Sequence, residues 1–208
     1  MIEKKDSASQ LETSAEKKEF SGSYGFVIKP DSKTQEKAQA IAIKLAPGAE
    51  FQTTIPHITL YHGRIKHLPL KVVKEILAEL KEHRGESLTL DSFEVYGGNF
   101  LFWDIKMTNI LPPMHKKALS ISAYLEKDGI AMAHDEGLKM TSKELDNIMR
   151  YGHPLVLERY IPHITLAYDS HGLTLPPQLP LAPWGIEIDD VLFAEMGKYG
   201  AVARIVDI

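Results

Sequence analysis

The hexapeptide Ile55-Pro56-His57-Ile58-Thr59-Leu60 recurs without change as Ile161-Pro162-His163-Ile164-Thr165-Leu166. At average residue usage, a six-residue identity in a chain of 208 residues arises by chance on the order of once in a thousand sequences. Any fold for this chain therefore has to place two identical local structures, and the simplest purpose for that is to bring them face to face. In each copy His-Ile-Thr-Leu alternates polar and apolar, the period of a strand with one buried face. His57 and Thr59 then leave one side while Ile58 and Leu60 enter a core; His163 and Thr165 stand likewise against Ile164 and Leu166. Pro56 and Pro162 carry no N–H, which puts each histidine at a strand start or on an edge.

The rest of the chain bounds what this pair can do. It is 44% hydrophobic, enough to bury a core in one domain or two small lobes. It has no cysteine, which removes disulfides, thiol catalysis and cysteine metal knuckles. A net charge of −4 leaves no overall basic coat for nucleic acid, although a local basic cleft stays open. No apolar run approaches a membrane span, and Met1-Ile2-Glu3-Lys4-Lys5-Asp6 lacks the apolar stretch of a secretory signal, so a cytoplasmic location without membrane contact is expected.

Residues 1–20 read as a polar tail and 21–208 as a single domain. A first strand is expected at Tyr24–Ile28. A capping box at Ser32-Lys33-Thr34-Gln35 opens a helix with Ala38, Ile41, Ala42 and Leu45 inward. The first motif strand follows. Pro69 then begins a helix that buries Leu70, Val73, Leu77 and Leu80 and ends at Gly85. Leu88–Tyr96 and Phe100–Met107 form a hairpin about Gly97-Gly98-Asn99. Pro112-Pro113 opens another helix, stopped by Gly129, and Thr141–Glu144 is a second capping box. After the second motif strand come a Pro-rich loop over 175–183 and a closing hairpin about Gly197–Gly200. Because the order of elements partly repeats around the motif, the expected architecture is a pseudo-symmetric α+β domain, two sheets with helices outside.

Two imidazoles suit opposite proton-transfer roles, since imidazole titrates near neutrality: one takes a proton from an attacking water, the other gives one to a leaving oxygen. Two hydroxyls beside them can hold the non-bridging oxygens of a phosphate. The set fits cleavage of a phosphodiester without a metal or other cofactor, and a 2′,3′-cyclic phosphate in particular.

Two His-x-Thr motifs, each on a strand and about a hundred residues apart, resemble those of the 2H phosphoesterase superfamily, which includes RNA 2′,3′-cyclic phosphodiesterases (2′-5′ RNA ligases) and 2′,5′-oligoadenylate phosphodiesterases. The resemblance implies a bilobal fold with two antiparallel sheets flanking a central cleft. It implies His57, Thr59, His163 and Thr165 as the catalytic quartet, with a nucleotide or RNA-end substrate and no obligatory protein partner, the enzyme acting as a monomer. In several members the second histidine is the base and the first the acid. Arg150-Tyr151-Gly152-His153-Pro154-Leu155-Val156 is also similar to a Tyr-Gly-Tyr-Pro-x-Val-like stretch of 2H proteins of phosphonate metabolism, with His153 replacing the aromatic.

Further substrate contacts are expected from Tyr61, which strict alternation puts on the face of His57 and Thr59, with Ala167 as its counterpart. Tyr24, Arg64 and Tyr199 are added as cleft candidates, and the same alternation sends His62 to the opposite face. His134-Asp135-Glu136 has no partner spacing that would make it a metal site. A small cyclic phosphate of the ADP-ribose or phosphoribosyl kind is the alternative substrate. A non-catalytic RNA- or nucleotide-binding module is the alternative class.

Overall fold

The computed structural model describes residues 18–50, 55–126, 140–177, 179 and 183–208. Most of the N-terminal tail, Gly129, the His134–Glu136 triplet and part of the Pro-rich loop lie outside the described residues; the helix expected to run to Gly129 already ends at Leu119, followed by a 3-10 turn over Ser120–Tyr124. In chain order the elements are β1 (Glu19–Pro30), α1 (Ser32–Leu45), β2 (Ile58–Pro69), α2 (Leu70–Lys81), β3 (Ser87–Tyr96), β4 (Phe100–Ile105), α3 (Leu111–Leu119), α4 (Ser142–Tyr151), β5 (His163–Tyr168), β6 (Trp184–Met196) and β7 (Val202–Ile205).

The two sheets expected are here one seven-stranded hydrogen-bonded network, ordered β1-β2-β5-β4-β3-β6-β7, with every pairing antiparallel. β6 pairs with β3 through its first residues, with β7 through its last, and with β1 along most of its length, so six strands close into a cycle. Closure removes all but short edges. The join that matters is the narrowest: β2 meets β5 only at Ile58↔Ile164, the same position of the two hexapeptides. The two motif strands are thus direct neighbours, touching at one residue pair and diverging from it.

α1 packs on β5, α2 on β6 and α3 on β2. Beneath them lies the main core, where Ile58, Leu60, Ile164 and Leu166 join Phe26, Trp103 and Phe193. Each such large side chain taken from water contributes about 1.5–3 kcal/mol. A smaller cluster of Val27, Ala194, Met196 and Val202, with Ile55 against it, fills the other face of β1, β6 and β7.

Local signals explain most element ends. α1 is capped by Asp31 and not by Ser32: the Asp31 carboxylate accepts from Thr34 N at 3.0 Å, and Gln35 turns back to the Pro30 carbonyl. Aspartate is a strong cap and stands one residue earlier, which moves Ser32 inside the helix. The Thr141 box forms as expected, both halves present. Its Glu144 also accepts from Tyr96 Oη at 3.1 Å and Arg159 Nη2 at 2.7 Å, while Asn147 donates to the Pro154 and Val156 carbonyls. These bonds fix the segment 152–160 that leads into β5.

One feature of the motif strands departs from strict alternation. In β2 the partners of Phe26 and Val27 are Tyr61 and Thr59, so Leu60 is an extra residue; in β5 the partners of Leu101 and Phe102 are Ala167 and Thr165, so Leu166 is extra. Each copy carries a β-bulge at its leucine. A bulge reverses which residues face which side. Leu60 and Tyr61 are both buried, as are Leu166 and Ala167, and the third residue on the face of each histidine becomes His62 in one copy and Tyr168 in the other.

Candidate active site

The pair Ile58↔Ile164 is flanked by His57 and Thr59 in one strand and by His163 and Thr165 in the other, and none of these four belongs to the main core. A cavity of about 490 Å³ opens beside them, with Thr59, His163 and Thr165 in its wall; this is within the ordinary range for small-ligand sites. His57 sits behind the wall, 8% exposed.

The two imidazoles share one anchor. Nδ1 of His57 lies 2.8 Å from the Ile55 carbonyl and Nδ1 of His163 lies 2.7 Å from the Ile161 carbonyl. A carbonyl only accepts, so Nδ1 carries a hydrogen in both copies. The Nε2 atoms then differ. In His163 the ring stacks on Phe102, centroids 3.6 Å apart, and burial brings its pKa down to about 4; the Ile161 carbonyl opposes that fall and the charge of His57 adds to it. With no hydrogen on it in the neutral ring, Nε2 is a basic lone pair. In His57, Nε2 lies 3.1 Å from the Gly200 carbonyl. Both nitrogens face acceptors, and both bonds exist together only in the imidazolium. Burial lowers the His57 pKa and the two carbonyls raise it, leaving it below the ordinary value.

Tyr160, just before the second motif, donates to the Thr59 carbonyl at 3.2 Å and stacks on His115. His115 is buried structure: its Nδ1 donates to the Leu60 carbonyl at 2.6 Å and its Nε2 accepts from Leu157 N at 2.9 Å, pinning the first bulge to the segment before β5. Asp104, the cross-strand partner of His163, is pushed up to about 6 by burial and then by the charge and hydrogen bond of Glu94 and the charge of Asp91.

Of the other residues singled out from sequence, Arg64, Tyr199 and Tyr61 line the cleft and Tyr24 does not. Arg64 stands at its mouth, paired with Glu126. Tyr199 lines it from the β6–β7 turn, held at φ 55° and stacked on Tyr168 with centroids 3.9 Å apart. Tyr24 is corrected, and Tyr61 sits deeper than expected. Tyr61 lines the cavity from its floor, 2% exposed, where the bulge seats its ring against the core and its hydroxyl donates to the Tyr151 carbonyl at 2.5 Å. Tyr24 shares its face with Phe26 and stacks on Phe193, away from the cavity. Missed from sequence were His62, His153 and Gly200, all in the cavity wall, and Phe102 beneath His163. The signal for His62 was present as the apolar doublet Leu60-Tyr61, which breaks the alternation between His57-x-Thr59 and His62-x-Arg64.

Among the described residues no group of three or more His, Asp or Glu is placed to hold a metal ion, and no helix is long and apolar enough to cross a membrane.

No family profile and no curated protein sequence matches the chain. Its fold nevertheless superposes on that of E. coli LigT and of a protein described as a phosphoesterase. The structure of E. coli LigT complexed with ATP superposes with a TM-score of 0.55 at 14% identity, over 91% of this chain and 96% of that one. E. coli LigT complexed with NADP+ gives 0.53 at 13%, over 90% and 95%. A structure described as a phosphoesterase gives 0.53 at 15%, over 90% and 97%. The resemblance to the 2H phosphoesterases drawn from the motifs is therefore met at the level of the fold along nearly the whole chain.

Proposed function

We propose that the cleft hydrolyses a phosphodiester by acid–base catalysis without a metal, opening a 2′,3′-cyclic phosphate or a 2′,5′-linkage in a nucleotide or RNA end. The observation that carries this is the shared Nδ1 anchor of His57 and His163 at the start of adjacent strands, with the Gly200 carbonyl against Nε2 of the first and Phe102 stacked on the ring of the second. His163 Nε2 takes a proton from water as the water oxygen bonds to phosphorus. The bond from phosphorus to the leaving ribose oxygen breaks, and His57 Nε2 gives that oxygen its proton. Thr59 and Thr165 donate to the non-bridging oxygens. Each turnover leaves His163 charged and His57 neutral, and solvent restores both. The nucleotides in the LigT complexes, ATP, NADP+ and 3′-AMP, support a nucleotide-bearing substrate.

The net charge of −4 favours a short substrate over long RNA. A small substrate gives a shallow salt dependence, and a long one a steep slope. A panel of 2′,3′-cyclic nucleotides, 2′,5′-dinucleotides and an ADP-ribose cyclic phosphate, incubated in EDTA and followed by phosphorus NMR, tests the proposal. Opening of at least one ester class to a single monoester is expected. No turnover of any member, or turnover abolished by EDTA and restored by a divalent ion, overturns it.

A further inference from the structure

Two imidazoles outside the quartet face the same cavity. His62 occupies the place that the bulge in β2 assigns to the cleft face. Its backbone lies so close to β1 that a Cβ on Gly25 would fall 2.5 Å from the His62 Cβ. His153 follows the left-handed Gly152 that ends α4. The two rings meet edge to face, centroids 4.6 Å apart. His153 Nδ1 accepts from Leu155 N at 3.2 Å, which leaves its hydrogen on Nε2. Among the described residues, the His62 ring and the His153 Nε2 make no hydrogen bond to protein. Burial holds both rings neutral: His62 at about 4, helped by the charge of His57, and His153 well below its ordinary value, helped by His62, His163 and His115.

A phosphate oxygen asks only for donors and is best met by cations. A neutral pair in edge-to-face contact offers something else: a fixed N–H on one ring, and on the other a nitrogen able to accept. That is the complement of a hydroxyl, which accepts one hydrogen bond and donates another. Leu155, Met140 and Tyr160 supply apolar surface to the same cavity.

We propose that His62 and His153 form a hydroxyl-reading subsite that takes a free sugar hydroxyl of the substrate and so determines which sugar phosphates the quartet turns over. The proposal rests on reading the quartet as a phosphodiester site. His153 Nε2–H donates to the hydroxyl oxygen, and the hydroxyl donates to His62. Neither ring exchanges a proton with the reacting bond.

The test is a cycle between substrate and protein. The kcat/KM for an adenosine 2′,3′-cyclic phosphate is compared with that for its 5′-deoxy analogue, in the parent, in His153→Phe and in His62→Asn. The parent is expected to lose about 10–100-fold on loss of the hydroxyl, and each variant to treat the two substrates alike. Variants that keep the parent's full discrimination overturn the proposal. A second measurement covers variants that fail to fold and a parent that turns over neither substrate. In ¹⁵N spectra of the parent, adenosine 2′-monophosphate should shift the His153 Nε2 and His62 ring signals, and its 5′-deoxy analogue should not. Those shifts without turnover would retain the subsite while removing the hydrolytic reading; equal shifts from both ligands, or none, would remove the subsite.

Discussion

The two copies of the hexapeptide begin identically and end differently. Each places a histidine at the start of a strand, ties its Nδ1 to the carbonyl two residues back, and bulges at its leucine. Up to that point the local sequence decides the structure. What differs comes from elsewhere in the chain. The turn 198–200 lays the Gly200 carbonyl on Nε2 of the first histidine, whereas β4 lays Phe102 flat against the second and leaves its Nε2 open. Beyond the bulge one copy presents His62 and the other Tyr168. A repeated motif thus supplies two equal groups, and their unlike neighbours give their Nε2 atoms unlike surroundings. On the proposed mechanism, that difference assigns His57 as the acid and His163 as the base.

The comparison breaks most visibly on the leaving group. His57→Ala and His163→Ala should each lower kcat on a cyclic nucleotide by about 10²–10⁴-fold. Only the His57→Ala defect should shrink on a p-nitrophenyl phosphodiester, whose leaving oxygen needs no proton; equal defects on both substrates would erase the distinction. Next in size is the effect of pH. The rate limb for the base requires His163 neutral and should rise near pH 4; the limb for the acid requires His57 charged and should fall below pH 6.5. The kcat/KM profile of the parent should therefore peak between these values, and a plateau reaching pH 8 would contradict the assignment. Smaller still is Gly200→Ala. At φ +77° a Cβ is strained, and here it would come 3.5 Å from His62 Nε2. Moving that carbonyl should cost about tenfold in kcat/KM and displace the falling limb alone.

The smallest effect concerns the surroundings of His163. The Asp104 carboxyl is raised to about 6 in the folded chain against 3.8 when free. Between those values the unfolded chain ionises first, so the folded state loses stability as pH rises through that window and regains none above it. Asp104→Asn removes that cost. Melting curves should show it about 2–4 °C more stable at pH 8 and indistinguishable from the parent at pH 4. An equal gain at both would point to packing in place of charge.

Much of this was legible before any coordinates. The strand period, the Gly97-Gly98 hairpin, the Thr141 box and the proline-opened α3 are local, and their residues carry the physics within a few positions. The four motif residues could be singled out because the repeat itself is improbable. What lay out of reach depended on contacts far along the chain. Neither the closure of the strands into a cycle nor the Gly200 cap on His57 has a local signature. Tyr61 and His62 exchanged faces for a subtler reason: alternation was extended through a bulge, and the paired apolar residues Leu60-Tyr61 and Leu166-Ala167 mark that bulge in both copies. Tyr24 was misplaced because a strand with core on one side and cleft on the other offers no sign of which is which until its neighbours are known.

The central claim is that His57 and His163 act together on one phosphorus. Single-turnover cleavage of a 2′,3′-cyclic nucleotide by the parent, the two alanine variants and the double variant measures this directly. Groups that serve one displacement are not additive, so the double variant should be about as slow as the slower single variant. A double variant whose loss equals the product of the two single losses, or a His163→Ala enzyme as fast as the parent, would contradict it.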